Sequence, residues 1–179
     1  MDSNAFARTA RLAAHLALAS AALACSLPRD ADGTLDRVRH GTLRVGAFPN
    51  PPWVTDSLGA LDGVEVRLVT DLAHGLGAHV AWIRKPEADL LEALHERELD
   101  LVVGGLTAAE PWAKQVAFTH PYHVDTVGVA PTSGAVTRTV VRQHVLAVAK
   151  GENAWLVHVE RFLRARKPTI PAVLRSVGS

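Results

Sequence analysis

The stretch from Asp100 to Tyr122 most constrains what this chain can fold into. A short apolar run over 101–103 has the composition of a buried strand and stops at Gly104 and Gly105. Because glycine has no side chain, another group can approach this backbone closely. Thr107 follows with a hydroxyl and an N–H, and a proline-containing helix start comes next. We therefore expect this stretch to form the rim of a ligand cleft at the carboxyl end of an α/β sheet.

The segments before this stretch alternate between strand and helix patterns. In chain order the predicted elements are strand 42–46, helix 64–76, strand 80–83, helix 86–97 and strand 101–103. An order of this kind implies parallel strands joined by right-handed crossovers. The predicted fold class is α/β, a mostly parallel sheet flanked by helices.

The first 24 residues have the pattern of a signal peptide. Arg8 and Arg11 precede an apolar run that ends in Ala22-Leu23-Ala24, a small-x-small cleavage pattern. This run is too short to remain as a membrane-spanning helix. The single cysteine, Cys25, follows directly, and its position resembles the lipobox of bacterial lipoproteins. Lipid attachment at Cys25 and secretion with a free thiol are both open, and the polar residues 25–40 predict a tether.

The charge and the motifs argue against several other functions. The chain has 19 basic and 18 acidic residues, and its arginines are scattered apart from one group at a predicted helix end, so no nucleic-acid partner is expected. His120 and His123 stand three residues apart, but no Cys or carboxylate pattern completes a metal site. No phosphate-binding glycine loop and no nucleophile with a base are apparent. We therefore expect no cofactor and no metal, and the chain is predicted not to be an enzyme.

Several motifs taken together resemble one known family. They are Leu43-Arg44-Val45-Gly46, Pro51-Pro52-Trp53, Gly63-Val64-Glu65-Val66, Gly104-Gly105-Leu106-Thr107 and the run from Val116 to Tyr122. In this order they look like the first lobe of a bacterial extracellular solute-binding protein of family 3, a periplasmic binding protein of type II. The resemblance implies a two-lobed protein that closes on a small polar solute, amino-acid-like or cationic, and delivers it to the permease of an ABC transporter. It also implies a periplasmic or extracytoplasmic location, with membrane contact only through lipid at Cys25.

The resemblance carries ligand-binding roles to a set of positions around the glycine pair. They are Phe48, Trp53, Gly104, Gly105, Leu106, Thr107 and Trp112. Trp53 corresponds to the aromatic that stacks against the ligand, while Gly105 and Thr107 correspond to positions that hold its ammonium and carboxylate ends.

Trp112 departs from the family's pattern, because amino-acid binders have there an arginine that clamps the α-carboxylate. An indole offers one neutral donor instead of two charge-assisted hydrogen bonds, so an ordinary α-amino acid is not expected as the ligand. With Trp53, Trp112 would form an aromatic wall for a cationic or ring-bearing solute. The alternative is that Trp112 only packs on the surface of the lobe.

The second departure from the family's pattern is a short segment at the place where the second lobe is expected. Residues 41–131 correspond to the first lobe, 132–143 to a short connection with a hairpin turn at 132–135 in place of the second lobe, and 144–179 to a strand and helices that return to the first lobe. A half-cleft encloses only one face of a ligand, so binding weakened by the loss of the second lobe is expected.

Apolar surface is then expected to be open near Val127, Val129, Val140 and Val145. The function predicted from the sequence is the solute-binding component of an ABC uptake transporter. Two alternatives stay open, namely a periplasmic cyclohexadienyl dehydratase on the same fold and an inactive truncated relative.

Overall fold

The computed structural model describes residues 29–109, 111–129 and 138–177. The predicted signal peptide over 1–24, the cysteine Cys25 and the predicted turn at 132–135 lie outside these ranges. Within them, no helix combines the length and the apolar character that crossing a membrane requires.

The described chain alternates strands and helices from residue 34 onwards. The elements are α1 (Thr34–Val38), β1 (Thr42–Ala47), β2 (Thr55–Ser57), β3 (Ala60–Asp62), α2 (Val64–Gly75), β4 (His79–Arg84), α3 (Glu87–His95), β5 (Leu101–Val103), a 3-10 helix (Pro111–Lys114), β6 (Val116–Phe118), β7 (His123–Val129), β8 (Arg138–His144), β9 (Ala147–Ala149), α4 (Asn153–Arg166) and α5 (Ile170–Val177).

The central sheet has five strands in the order β4-β1-β5-β9-β6. Strand β1 pairs in parallel with β4 and β5, whereas β9 is antiparallel to both β5 and β6. Four of the five strands therefore run in one direction. The predicted α/β class with a mostly parallel sheet is confirmed.

Helices cover both faces of this sheet. Leu101 and Val103 of β5 face a cluster formed with α2 and α4, and Val102 between them faces a second cluster formed with α3. All three side chains are buried. A strand covered on both faces reads as a continuous apolar run, which is why 101–103 shows no polar alternation.

The predicted tether over 25–40 is wrong for its second half, where α1 packs onto the lobe. Its N-terminus has distant acceptors, since the carboxylate of Glu152 accepts from the N–H of Asp32 at 2.9 Å and of Thr34 at 3.1 Å. Asp30 accepts from the N–H of Leu35 at 2.8 Å. These groups satisfy amides that a short helix leaves unpaired. The anchoring residue Glu152 lies about 120 residues away in sequence, so nothing local predicts the helix.

Strands β7 and β8 form a separate antiparallel pair that runs from His123 opposite His144 to Val129 opposite Arg138. Val140 is 44% exposed, as expected for apolar surface left open, and Val127 is half-buried. The expectation is wrong for Val145, which is 1% exposed because it packs in the cluster under α3. The side chain of Val129 lies outside the described part of the chain.

Candidate functional site

The candidate site lies where β1 and β5 end, side by side, at the carboxyl edge of the sheet. The N–H of Phe48 donates to the carbonyl of Val103 at 3.3 Å, so the two chain ends leave the sheet together. Gly105 has a φ of 72°, and a Cβ there would lie 2.3 Å from the ring of Trp53. A Cβ on Gly104 would lie 2.3 Å from the ring of Phe48. Close approach to this glycine pair is therefore present, and the approaching groups belong to the chain itself.

Glu65, in the first turn of α2, holds the glycine pair in place. Its Oε2 accepts from the N–H of Gly104 at 2.7 Å and of Gly105 at 2.9 Å. Its Oε1 accepts from the hydroxyl of Tyr122. The amide of Asn50 completes the turn by donating to the carbonyl of Gly104 at 2.7 Å. These bonds fix the loop after β5 to the start of α2 before any solute arrives.

Burial is the main influence on the pKa of Glu65. Glu65 is fully buried, and burial raises its pKa to about 7, although the hydrogen bonds from Tyr122, Gly105 and Gly104 oppose that rise. Burial and the neighbouring Glu65 carboxylate together raise the pKa of the Tyr122 phenol well above its ordinary value. No local pattern in the sequence indicates this role of Glu65, because its three donors come from distant positions in the chain.

Trp53 lies in the core and not on the open rim. Its side chain is 3% exposed, its ring centroid is 4.0 Å from that of His144, and Tyr122 meets it edge-on at 5.9 Å. His144 stands at the end of β8 and covers the ring. An open stacking face for a solute, as the resemblance implies for Trp53, is therefore not present in this structure.

Phe48 and Trp112 form an apolar rim on the other side of the loop. Both are partly buried and pack, with Ile83 and Phe118, against the cluster under α3. Trp53 belongs to the opposite cluster, beside α2. The predicted aromatic wall of Trp53 and Trp112 is therefore wrong, because the two indoles pack on opposite faces of the sheet.

A pocket of about 510 Å³ opens beside Thr107, between the loop and strand β8. Its lining consists of Thr107, Ala108, Ala109, Val140, Val141, Arg142 and Gln143. Backbone bonds hold its two walls together, since Ala108 N–H donates to the Gln143 carbonyl at 2.9 Å and Val145 N–H donates to the Leu106 carbonyl at 3.0 Å. Leu106 itself is buried under this junction, whereas Thr107 is partly exposed.

Strand β8 supplies polar groups that sequence reasoning missed. Arg142 binds Asp125 through Nε at 3.0 Å and Nη2 at 2.5 Å, and this pairing lowers the pKa of Asp125. His144 Nε2 lies 3.3 Å from Asp125, while its buried Nδ1 has no hydrogen-bond partner in the described chain. Burial lowers the pKa of His144. These residues come together through the register of the β7–β8 hairpin, and no sequence motif indicates that register.

The two histidines considered for a metal have different partners. His120 pairs with Glu160 through Nδ1 at 2.6 Å, whereas the ring of His123 lies 5.5 Å from that of Trp53. Across the described ranges, no group of three or more His, Cys, Asp or Glu residues is arranged to hold a metal ion.

Comparison with known proteins adds to this geometry. Residues 43–169 match the family of bacterial extracellular solute-binding proteins, family 3. A protein of Campylobacter jejuni subsp. jejuni named "Probable histidine-binding protein" is 27% identical over 84 residues, which are 46% of this chain and 33% of that protein. The "Arginine-binding periplasmic protein" of Mannheimia haemolytica is 26% identical over 112 residues, 57% of this chain and 47% of that protein.

A solved structure shares the fold, with a sequence identity similar to that of the two curated relatives. The crystal structure of the arginine-bound form of domain 1 from TmArgBP superposes with a TM-score of 0.58 at 26% identity, over 73% of this chain and 97% of that one. In an α/β lobe, the loops at the carboxyl edge of the sheet are a common place for a ligand site. This chain belongs to the bacterial extracellular solute-binding proteins, family 3, as the motifs predicted. It spans less than half the length of the two curated relatives.

Proposed function

We propose that this chain is the solute-binding component of an ABC uptake transporter, and that its pocket beside Thr107 takes a small polar solute of the amino-acid type. The observation that carries the proposal is the pocket of about 510 Å³ on the loop that follows β5. Its volume falls in the range of ordinary small-molecule sites, about 300–1,000 Å³. The histidine- and arginine-binding names of the two curated relatives support a basic amino acid as the solute.

A single lobe is sufficient for binding in this proposal. Domain 1 of TmArgBP, taken alone, has been crystallised in an arginine-bound form. The pocket here is open to solvent, so it encloses less of a solute than a closed two-lobed cleft does. We expect affinity to be weaker than in a two-lobed receptor for that reason.

The cellular setting belongs to the same proposal. The apolar run that ends at Ala24 supports export, and the position of Cys25 supports a lipid anchor that would keep the lobe near the permease. We propose the permease of an ABC transporter as the protein partner. The residues that carry export and anchoring lie outside the described part of the chain.

The placement of the carboxylates around the pocket does not favour the dehydratase alternative. Such an enzyme needs a carboxylate that faces its substrate, whereas Glu65 is fully buried and holds three donors of its own chain. Among the described residues that line the pocket, none is a carboxylate. Both curated relatives carry the names of binding proteins.

A thermal-shift experiment tests the binding proposal. The mature chain is heated with each member of a panel of amino acids, including arginine, lysine and histidine. A ligand present at about 100 times its dissociation constant adds roughly 2.7 kcal/mol to the free energy of unfolding, so a bound basic amino acid should raise Tm clearly. Ala109→Trp should abolish the shift, because exposed Ala109 lines the pocket and an indole there fills it.

The matched control is Ala60→Trp, which adds the same indole at an exposed position in β3. It should leave the shift unchanged. If the unmodified chain shows no shift with any amino acid, the proposal is wrong. A shift that survives Ala109→Trp would place the solute outside this pocket.

Trp112→Arg is expected to increase the affinity for arginine at least about tenfold. A guanidinium on the rim adds charge-assisted hydrogen bonds to a carboxylate, which contribute about 1.5–3 kcal/mol. Trp112 is only partly buried and follows the pocket-lining residue Ala109 by three positions, so an arginine there can stay hydrated and extend toward the pocket.

Isothermal titration calorimetry with arginine measures this change. Trp112→Leu is the control, because it removes the indole without adding charge, and it should show no gain. An equal gain in both variants would mean that relief of bulk, and not the guanidinium, is responsible.

A further inference from the structure

We propose that Arg142 binds the carboxylate of the solute in the pocket beside Thr107. This inference rests on the proposed function and names the group that selects the solute. It assigns a ligand-binding role to strand β8, which the motifs of the lobe do not include.

The lining of the pocket supports this role by its chemistry. Arg142 is the single charged residue in that lining, among the residues that the structure describes, and Thr107 adds a hydroxyl. The remaining walls are largely aliphatic, with Val140, Val141 and Ala108. The carboxylate of an amino acid such as arginine complements the guanidinium of Arg142, and its methylene groups complement the apolar walls. The side chain of Arg142 is 43% exposed, so a solute can reach it.

Asp125 positions the guanidinium without using all of its donors. The two residues are direct cross-strand partners in the β7–β8 pair. Asp125 accepts from Nε and Nη2 of Arg142. A guanidinium has five N–H donors in a fixed plane, so the edge that includes Nη1 can bind a second carboxylate while the first stays bound. A pre-oriented guanidinium loses less side-chain entropy when the solute binds.

The competing interpretation is that the Arg142–Asp125 pair only holds the hairpin together. The two interpretations differ in one measurable respect. Arg142→Gln and Asp125→Asn both remove the ion pair, so a purely structural pair predicts a similar effect from both. A carboxylate-binding Arg142 predicts that the first variant loses solute and the second keeps it, because Asp125→Asn leaves the guanidinium in the pocket.

The experiment is calorimetric titration with arginine and with agmatine, which is arginine without its carboxylate. The unmodified chain should bind arginine at least about tenfold more tightly than agmatine, the difference expected for one charge-assisted contact. Arg142→Gln should lower arginine affinity to that of agmatine and leave agmatine affinity unchanged. Asp125→Asn should retain the preference, and Arg164→Gln, at an exposed position on α4, should behave like the unmodified chain.

Two further variants protect the test against a folding defect. Arg142→Lys keeps the charge but loses the planar fork, so it should have an intermediate preference for arginine. Trp112→Arg combined with Arg142→Gln should restore part of the preference, because it returns a guanidinium to the rim. If Arg142→Gln does not fold, the Arg142→Lys variant decides, and a full preference in it overturns the inference.

The failures can be told apart. Equal affinity of the unmodified chain for arginine and agmatine, a preference that survives Arg142→Gln, or an equal loss in Arg142→Gln and Asp125→Asn overturns the inference and leaves the proposed function standing. Absence of binding by the unmodified chain to arginine and to every other amino acid in the panel overturns both.

Discussion

Replacing Glu65 with alanine is expected to lower the free energy of unfolding by about 4 kcal/mol. The change removes the acceptor of three buried donors, namely the N–H groups of Gly104 and Gly105 and the hydroxyl of Tyr122. A buried donor left without a partner costs about 1–3 kcal/mol. Urea denaturation followed by tryptophan fluorescence measures the loss.

Glu65→Gln is the matched control, because glutamine has the same shape and keeps an acceptor for the two glycine amides. We expect its stability at neutral pH to lie within about 1 kcal/mol of the unmodified chain, since the hydrogen bonds are largely retained. If Glu65→Gln and Glu65→Ala lose the same amount, the hydrogen bonds to Glu65 are not what stabilises the loop.

The unmodified chain and the Glu65→Gln variant together also test the pKa of Glu65. Burial raises this pKa from the ordinary value near 4.5 to about 7, so the folded state holds the proton more tightly than the unfolded state does. The resulting contribution to stability is fully present below pH ~4.5 and is lost as the pH rises through ~7, by about 3 kcal/mol at roughly 1.4 kcal/mol per pH unit. Glu65→Gln should lack this slope. An identical slope in both chains would assign the titration to another group.

Strand β5 and helix α2 are predictable from the sequence because the hydrophobic patterns that form them are local. The apolar run at 101–103 and the helical spacing from Val64 to Leu76 each bury a face that the sequence displays directly. Helix α1 is different. Its amides depend on Asp30 and Glu152, and the second of these lies about 120 residues away in sequence. A sequence pattern cannot show an acceptor that far away, so the segment reads as a tether.

The sequence predicted where the backbone is closely approached, but not which groups approach it. Gly104 and Gly105 correctly marked a place where another group comes close to the backbone. The groups that come close are Trp53, Phe48 and the Glu65 carboxylate. The pairing of β7 with β8 also places His144 over the indole of Trp53 and closes the space there. The pocket lies one step further along, at Thr107 and Arg142. Its location depends on the register of the β7–β8 hairpin, which is set by the turn and by the hydrophobic pattern of both strands together.

Replacing Asp100 with alanine is expected to lower the free energy of unfolding by about 3 kcal/mol. The side chain of Asp100 is 1% exposed and binds two guanidinium groups, those of Arg37 and Arg44. It also accepts from the Arg44 N–H at 2.9 Å. Removing one partner of a buried ion pair costs about 3–5 kcal/mol, and the lower end applies because both arginines reach water and can be solvated.

The pH dependence of this loss has the opposite sign to that of Glu65. Burial tends to raise the pKa of Asp100, but the hydrogen bonds from Arg44 and Arg37 outweigh burial and hold it below the ordinary value. Its contribution is therefore present above the unfolded-state pKa, about 3.9, and is lost as the pH falls through the folded-state value. The stability difference between the unmodified chain and Asp100→Ala should shrink in acid.

Urea denaturation at several pH values measures both effects. Asp71→Ala is the control, because Asp71 and its partner Arg166 are each about half exposed and such a pair contributes little. Asp100 joins α1 to β1, and its backbone carbonyl accepts from the indole of Trp155 in α4 at 2.8 Å. A loss no larger than that of Asp71→Ala would mean that apolar packing alone holds these three elements together. A loss several times larger would show that the carboxylate is what fixes α1 to the lobe.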